Sequence, residues 1–347
     1  MKDITVLLTA CNGLTTPGVI DCLREVDERK ITIVGVDMVE LGAASRFVDS
    51  FYKVPFAYDK KYVDMIFDIC EKENVDVVVP RSDEEVLILS KHKKRFSEIN
   101  TIIAINDFSV SIKSSDKGTF LQHITDEGLP CAKFRIPKNI EEFERHCYEL
   151  GYPTEPVIIK PRLGRGNRGV RIIQNKVDKG DLLLNHKPGS PYITMEDIKS
   201  ALTSSEIENF PEVVVMEYLP GDEYSVDVLA NGGNVVAMVP KRRLMPVPGL
   251  SVVGEVDLNT EVMEAVKEIC KVFNFDYNVN IQFRYSKFGK LYPYEINTRV
   301  AASIAACKEA GADLLYFGIK LALGEDIPEV EVKNGIKMMR YYREYYE

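Results

Sequence analysis

Residues 157–170 read VIIKPRLGRGNRGV, in which an apolar run ends in a lysine and is followed by a loop with three glycines. The β-branched run Val157–Lys160 predicts a buried strand, and Val170–Ile173 predicts a second strand after the loop. A lysine in this position can place its ammonium against phosphate oxygens, while glycines let backbone N–H groups close over the same oxygens. The segment therefore predicts a polyphosphate site, although an ordinary tight turn with two solvated arginines, Arg165 and Arg168, also fits it.

A second polar pattern lies near the C-terminus, where Glu295, Asn297 and Arg299 alternate along one stretch and Gln282 lies on the preceding predicted strand. In an extended strand, residues i and i+2 point to the same face. A carboxylate with amide oxygens is a ligand set suited to Mg²⁺ on nucleotide phosphates. A neighbouring arginine can balance the charge of a transferring phosphoryl group. A solvated strand face with a Glu–Arg ion pair is the alternative.

A third pattern connects two predicted strands, 213–218 and 224–230, through Pro220 and Gly221. Backbone groups of such a connection can bind a flat base, and Glu223 just beyond it can accept hydrogen bonds from ribose hydroxyls. Without its context, the same stretch is an ordinary hairpin.

The first hundred residues alternate short Val/Ile-rich runs with amphipathic segments. This alternation predicts a parallel sheet covered by helices on both faces. Ligands of such sheets bind at the carboxyl ends of the strands, here the loops 9–13 and 80–83 together with Asp37. The predicted strands are 4–9, 31–36, 75–79 and 101–105, and the predicted helices are 17–26, 61–73 and 83–95.

The remaining chain predicts mixed helices and strands. Residues 176–211 are polar and predict an irregular segment with one helix near 195–202. The other predicted helices are 117–127, 140–150, 260–273 and 314–323, and the other predicted strands are 235–240, 279–285, 291–295 and 335–342.

Composition narrows the functional classes. The 347 residues carry a formal net charge of −9, which disfavours binding to nucleic acid or anionic lipid. No apolar run approaches the roughly 20 residues that span a bilayer, and the N-terminus shows no secretory signal pattern. Seven scattered cysteines without a CxxC pair predict a reduced, cytoplasmic setting rather than a disulfide framework or a zinc site.

The order of these motifs resembles that of the ATP-grasp superfamily over residues 116–324, and residues 280–300 are most similar to its carbamoyl-phosphate-synthetase-like branch. The resemblance implies an α/β parallel-sheet, Rossmann-like pre-ATP-grasp domain over 1–112. An α+β ATP-grasp fold of two subdomains, 113–212 (the lid) and 213–347 (with the metal site), would then hold ATP between them. Gln282 departs from the family pattern, because that position is acidic in many ATP-grasp enzymes.

Site residues are implied by the same resemblance. ATP phosphates would be bound by Lys117 and Lys160 under a lid that includes Gly164, Gly166 and Gly169. The backbone of Glu217 and Leu219 would meet adenine, and Glu223 would hold ribose. The Mg²⁺ ligands, with Mn²⁺ as a substitute ion, would be Gln282, Glu295 and Asn297. Arg299 would steer the γ-phosphate or the acyl phosphate, so Arg299 and Lys160 are predicted catalytic residues.

Arg242 completes the predicted catalytic set. It lies at the end of a predicted strand, and in this branch such an arginine commonly points into the active site, where it could pair with a substrate carboxylate bidentately. A solvated basic strand end is the alternative.

The implied activity is that of a carboxylate–amine ligase that forms an acyl phosphate and releases ADP and phosphate. Its partners would be a small carboxylic acid and an amine or other nucleophile, with a homodimer as the expected assembly. Two other activities stay open: a phosphotransferase that stops at the phosphorylated product, and a nucleotide-binding protein without catalysis.

Overall fold

The computed structural model describes residues 1–164, 168–185, 189–204, 209–247 and 250–347. These residues form two compact units. The first unit comprises 1–115, 223–282 and 296–347, and the second comprises 116–222 and 283–295. The predicted domain boundaries near 112 and 212 stay a prediction.

The N-terminal part of the first unit is a five-stranded sheet in which every strand pair is parallel, as predicted. The strand order is β3-β2-β1-β4-β5. The strands are β1 (Ile4–Leu8), β2 (Ile31–Asp37), β3 (Ser50–Lys53), β4 (Val77–Val79) and β5 (Ile102–Ile103). The helices are α1 (Thr16–Arg24), α2 (Tyr62–Glu73), α3 (Asp83–Leu89), α4 (Lys93–Ser97) and α5 (Phe108–Ser115), with 3₁₀ turns at Ala43–Arg46 and Ser90–His92.

The second unit is built on a five-stranded, mostly antiparallel sheet in the order β6-β10-β7-β8-β9. The strands are β6 (Phe134–Arg135), β7 (Val157–Pro161), β8 (Arg171–Ile173), β9 (Tyr192–Ile193) and β10 (Val213–Glu217). The helices are α6 (Lys117–Asp126), α7 (Ile140–Glu149), α8 (Lys179–Asn185) and α9 (Met195–Leu202). The core of this unit packs Phe143 and Cys147 of α7 against Val157 and Ile159 of β7.

A third sheet has six strands in the order β15-β14-β11-β12-β13-β16, and its residues 283–295 belong to the second unit. The strands are β11 (Glu223–Asn231), β12 (Asn234–Val247), β13 (Leu250–Val256), β14 (Tyr277–Tyr285), β15 (Leu291–Asn297) and β16 (Lys337–Met339). The helices are α10 (Thr260–Phe273), α11 (Ala305–Glu309) and α12 (Leu314–Ala322).

The first unit has one core that joins its N-terminal and C-terminal parts. Val6 and Leu8 of β1 pack in the same buried cluster as Leu229 of β11 and Leu315 and Ile319 of α12. Leu7, which alternates with them along β1, belongs to a second cluster on the opposite face of the parallel sheet. This two-sided burial explains why the first strands read as continuous apolar runs.

Several predicted elements differ from the observed ones. The predicted helix 83–95 is interrupted by a 3₁₀ turn, where the Ser90 hydroxyl donates to the Leu87 carbonyl at 3.2 Å and competes with the helical hydrogen bonds. The segment 176–211 is more regular than predicted, because α8 and β9 precede the predicted helix α9. The connection at Pro220 and Gly221 is not a hairpin, since β10 and β11 belong to different sheets.

The strand that carries Arg242 is also longer than predicted. β12 runs from Asn234 to Val247, so Arg242 lies inside a strand rather than at its end. The charged run Lys241–Arg243 can continue the strand because acidic side chains face it, as described below.

No helix in the described part of the chain combines the length and apolar character needed to cross a membrane.

Candidate active site

Lys160 lies at the end of a buried strand, as predicted. Its side chain is only 6% exposed, and its ammonium lies 4.4 Å from the centroid of the Tyr294 ring. A cation over an aromatic face is stabilised by the ring quadrupole. The contact brings the lysine against β15, the strand that carries Glu295 immediately after Tyr294.

Lys117 is the first residue of α6 and is buried in the second unit. Its ammonium donates to the Gly164 carbonyl at 3.1 Å, which brings this lysine to the start of the glycine loop. The helix start is fixed by Asp116, whose carboxylate accepts the Thr119 N–H at 2.9 Å and receives two hydrogen bonds from Arg162 at 2.7 and 3.0 Å.

The glycine loop connects two antiparallel strands, β7 and β8, as predicted. Gly164 has φ +153° and Gly169 has φ +74°, and a Cβ at Gly169 would lie 2.6 Å from Pro161 Cγ. A side chain at position 169 is therefore excluded by both backbone conformation and space. Gly166, together with Arg165, lies outside the described residues.

The predicted base-binding connection, residues 217–222, is held by hydrogen bonds along its length. The Glu217 carboxylate accepts the Lys133 N–H at 2.7 Å, and the Leu219 carbonyl accepts from Arg284 at 3.2 Å. Gly221 N–H donates to the Tyr285 carbonyl at 2.9 Å, and a Cβ on Gly221 would lie 2.7 Å from Tyr285. The segment is thus a fixed platform within the second unit.

Glu223 begins β11 and is buried in the first unit. Its carboxylate pairs with Arg243 of β12, a partner that the sequence did not predict. The ion pair orients the Glu223 carboxylate.

Arg242 points away from Arg243, as neighbours in a strand do. Its guanidinium lies 3.6 Å from Glu255 and 3.9 Å from Asp257, so two carboxylates of its own unit already face it. The neighbouring Lys241 is buried and pairs with Asp227.

The predicted metal ligands lie on two strands of the third sheet. Gln282 and Asn297 belong to the first unit, while Glu295 belongs to the second. The Gln282 amide donates to Asn280 Oδ1 at 3.2 Å, and Asn297 Oδ1 accepts from Arg299 at 3.3 Å. One carboxylate and two amides are oxygen donors of the type that hard cations take. Among the described residues, no group of three or more His, Cys, Asp or Glu side chains is arranged to hold a metal ion.

Arg299 forms a bidentate ion pair with Asp83 of the N-terminal sheet. The two bonds measure 2.9 and 3.3 Å, and both side chains are largely buried within the first unit. Asp83 is the first residue of α3 and follows β4, so the predicted crevice loop 80–83 is brought to Arg299.

Sequence reasoning missed several groups of this region. Arg243 and Asp83 were not recognised as partners of predicted site residues, because each partnership is non-local. Arg81 was named only as part of a loop, and its half-buried guanidinium donates to Thr15 at 3.3 Å and to Thr16. Its place directly after a parallel strand was the one signal available.

Two family models match the chain. Residues 209–343 match a family described as ATP-grasp in the biosynthetic pathway with Ter operon, and residues 7–104 match the PylC-like N-terminal domain.

Solved structures are similar over nearly the whole chain. The biotin carboxylase domain of 2-oxoglutarate carboxylase from Hydrogenobacter thermophilus, a dimer in complex with MgADP, ADP and bicarbonate, has a TM-score of 0.73 at 18% identity, over 97% of this chain and 74% of that chain. N5-carboxyaminoimidazole synthetase from Staphylococcus aureus, complexed with ADP, has a TM-score of 0.70 at 17% identity, over 97% and 82% of the two chains. At this identity the likeness establishes a shared fold.

Proposed function

Since the chain belongs to the ATP-grasp superfamily, we propose that it is an ATP-dependent ligase that joins a small carboxylic acid to an amine. The single observation that carries the proposal is the contact of buried Lys160 with Tyr294, the residue before Glu295. It links the lysine and glycine-loop motif to the strand segment that ends in Glu295 within the second unit.

Each half of the nucleotide has a proposed set of residues. Lys117, Lys160 and the glycine loop would bind the phosphates, and the platform 217–222 would meet adenine through backbone groups. The Leu219 carbonyl already accepts from Arg284, which favours the N–H of this residue as the donor to the base. Glu223, aimed by Arg243, would accept hydrogen bonds from ribose.

Mg²⁺ would be held by Gln282, Glu295 and Asn297, with Mn²⁺ as an alternative ion. The ion would neutralise negative charge on the β- and γ-phosphates of ATP. With only one carboxylate, this set leaves most of the charge balance to the phosphates themselves.

The reaction would have two steps. A carboxylate oxygen of the acid attacks the γ-phosphorus, the bond to the β-phosphate oxygen breaks, and ADP leaves. The amine nitrogen then attacks the acyl carbon, the carbon–oxygen bond to phosphate breaks, and one proton from the amine is released with phosphate. Arg299, oriented by Asp83, and Lys160 would stabilise the phosphoryl oxygens during the first step. Arg242, which lies near Glu255 and Asp257, would pair with the substrate carboxylate.

The proposal is tested by measuring ADP release from Mg-ATP across a panel of acids and amines. We expect ADP release to require both an acid and an amine, and Lys160→Ala and Glu295→Ala each to lower turnover by about 10²–10³-fold or more. Lys179→Ala, at an exposed ion pair with Asp197, is the matched lysine control and should retain activity.

ATP binding in equilibrium dialysis without ADP release from any acid and amine would favour a nucleotide-binding protein without catalysis. ADP release that needs an acid but no amine would replace the ligase by a phosphotransferase. Undiminished activity of folded Lys160→Ala or Glu295→Ala at saturating Mg-ATP would contradict the assignment of these residues.

A further inference from the structure

Arg81 occupies the carboxyl end of β4, at the edge of the parallel sheet where ligands of such sheets bind. Its backbone N–H donates to Thr9 Oγ1 at 3.0 Å, directly after β1. Its guanidinium donates to the hydroxyls of Thr15 and Thr16, the latter being the first residue of α1. One backbone contact and two side-chain contacts therefore fix Arg81 on the N-terminal sheet.

Among the described residues, the structure records no ion pair that involves the charge of Arg81. Within the described part of the chain, no carboxylate oxygen lies within 4 Å of its guanidinium, and its Nε is buried without a hydrogen-bond partner. Burial lowers the pKa of Arg81 to about 10, so the guanidinium is still cationic at neutral pH. A half-buried cation without a directly bound counter-ion is unfavourable, and an anionic ligand would relieve this.

The two acids whose charge reaches Arg81 are already engaged elsewhere. Asp37 accepts the N–H groups of Asn12 and Val39, both at 2.8 Å. Glu85 accepts from Thr9, Tyr62 and the Ser82 N–H, and burial raises its pKa, which favours its neutral form.

A second arginine strengthens the positive field. Arg299 is bound to Asp83, two residues after Arg81, and its charge contributes to the lowered pKa of Arg81. The charge of Arg81 therefore lies in the field of a second guanidinium group.

We propose that Arg81, with the hydroxyls of Thr15 and Thr16, binds a second oxyanion of the acid substrate, either a carboxylate or a phosphate. The inference rests on the proposed function. The reacting carboxylate must be free to approach the γ-phosphate, and it is assigned to Arg242, while Arg299 acts on the phosphoryl oxygens. The anion bound by Arg81 is then a second group of the substrate, so the substrate acid carries two anionic groups.

The full chain without nucleotide tests the site directly. Thermal unfolding is followed while inorganic phosphate or succinate is added, with chloride at matched ionic strength as the reference. A ligand that binds only the folded state raises Tm in proportion to the logarithm of its concentration above Kd. We expect one of the two oxyanions to raise Tm above chloride, and Arg81→Met to weaken this binding at least about tenfold.

Two control variants test whether anion binding depends specifically on Arg81. Arg46→Met removes an exposed arginine of the same unit that pairs with Glu347, and should bind the anion like the parent protein. Arg81→Lys keeps the charge but not the planar donor pattern, and should bind with intermediate affinity if Arg81→Met does not fold. Equal binding by all variants, or no stabilisation beyond chloride, would overturn the inference.

The substrate panel separates this inference from the proposed function. Acids with two anionic groups should show a raised KM in Arg81→Met at little-changed kcat. An unchanged KM of Arg81→Met for acids with two anionic groups would overturn the inference and leave the ligase intact. Specific anion binding without any ADP release would support the anion site at Arg81 and contradict the proposed ligase activity.

Discussion

The run Lys241-Arg242-Arg243 shows how single residues of one strand take different roles. Lys241 is 4% exposed and pairs with Asp227, which also accepts from Asn280 at 2.9 Å and Ser303 at 3.2 Å. Burial alone would lower the pKa of Lys241, but its interactions with Asp227 and Cys307 together outweigh burial and hold this pKa above its ordinary value. Since Gln282 donates to Asn280, this buried network reaches a proposed metal ligand.

Lys241→Met should be strongly destabilising, because it leaves the Asp227 carboxylate buried without its counter-ion. We expect a loss of about 3–5 kcal/mol in the free energy of unfolding, measured by urea titration. The same substitution at Lys267, whose pair with Glu264 is exposed, should change stability by less than about 1 kcal/mol. Adding Asp227→Asn to Lys241→Met should recover part of the loss. Equal effects at Lys241 and Lys267 would show that the buried pair does not stabilise the fold.

Partners of this kind are what the sequence could not predict. Arg299 was identified from its place after Glu295 and Asn297, yet Asp83, which orients it, lies 216 positions away in the chain. The spacing of residues in the sequence shows which side chains share a face of a strand. An ion pair between distant residues depends instead on how the whole first unit folds. The predicted roles of the other site residues stay predictions for the same reason.

At the scale of elements, α3 begins with a capping box that the sequence displays as Ser82-x-x-Glu85. The Ser82 hydroxyl accepts the Glu85 N–H at 3.3 Å, and the Glu85 carboxylate accepts the Ser82 N–H at 3.1 Å. Glu85 also accepts from Thr9 at 2.5 Å and from Tyr62 at 3.1 Å, so the cap is buried and ties α3 to β1 and α2.

Glu85→Gln should change the pH dependence of stability. Burial raises the pKa of Glu85, so between pH 4.5 and this raised pKa the folded state binds more protons than the unfolded state. Its contribution to stability is therefore largest below pH 4.5 and declines as pH rises through the folded pKa. Glutamine does not titrate, so the parent protein should lose stability relative to Glu85→Gln by about 1.4 kcal/mol for each unit by which the pKa is raised. Urea titrations of both proteins from pH 4.5 to 8 measure this, and a constant difference would contradict it.

Elements with a regular repeat of apolar residues were predictable from the sequence. Elements that depend on contacts with residues distant in the chain were not. The helices α9 and α10 have their predicted bounds, because each combines a polar cap, Thr194 or Asn259, with an amphipathic repeat. The strand β3 was missed because Ser50–Lys53 is short and lies at the edge of its sheet. The length of β12 was underestimated because its charged residues are compatible with a strand only when Asp227 and Glu223 face them.

At the scale of the whole molecule, the burial of the cysteine side chains shows how tightly each of the two units is packed. All seven cysteines are free, six are buried, and Cys131 is half-buried. Burial raises the pKa of Cys11, Cys22, Cys147 and Cys270 to about 12 in each case. The thiolate is the reactive form, and at pH 8 it would be about 10⁻⁴ of such a thiol.

Alkylation of the folded protein should therefore modify only Cys131. Mass spectrometry after treatment with iodoacetamide at pH 8 should find at most one adduct per chain, at Cys131, whereas treatment in urea should give seven. Cys307 should be among the slowest to react, since burial next to Asp227 raises its pKa well above the ordinary thiol value although Lys241 opposes this. Reaction at the six buried positions then requires opening of the fold, so Lys241→Met, which loosens the surroundings of Cys307, should speed its labelling. Rapid stoichiometric labelling of any buried cysteine in the folded protein would contradict the packing described for its unit.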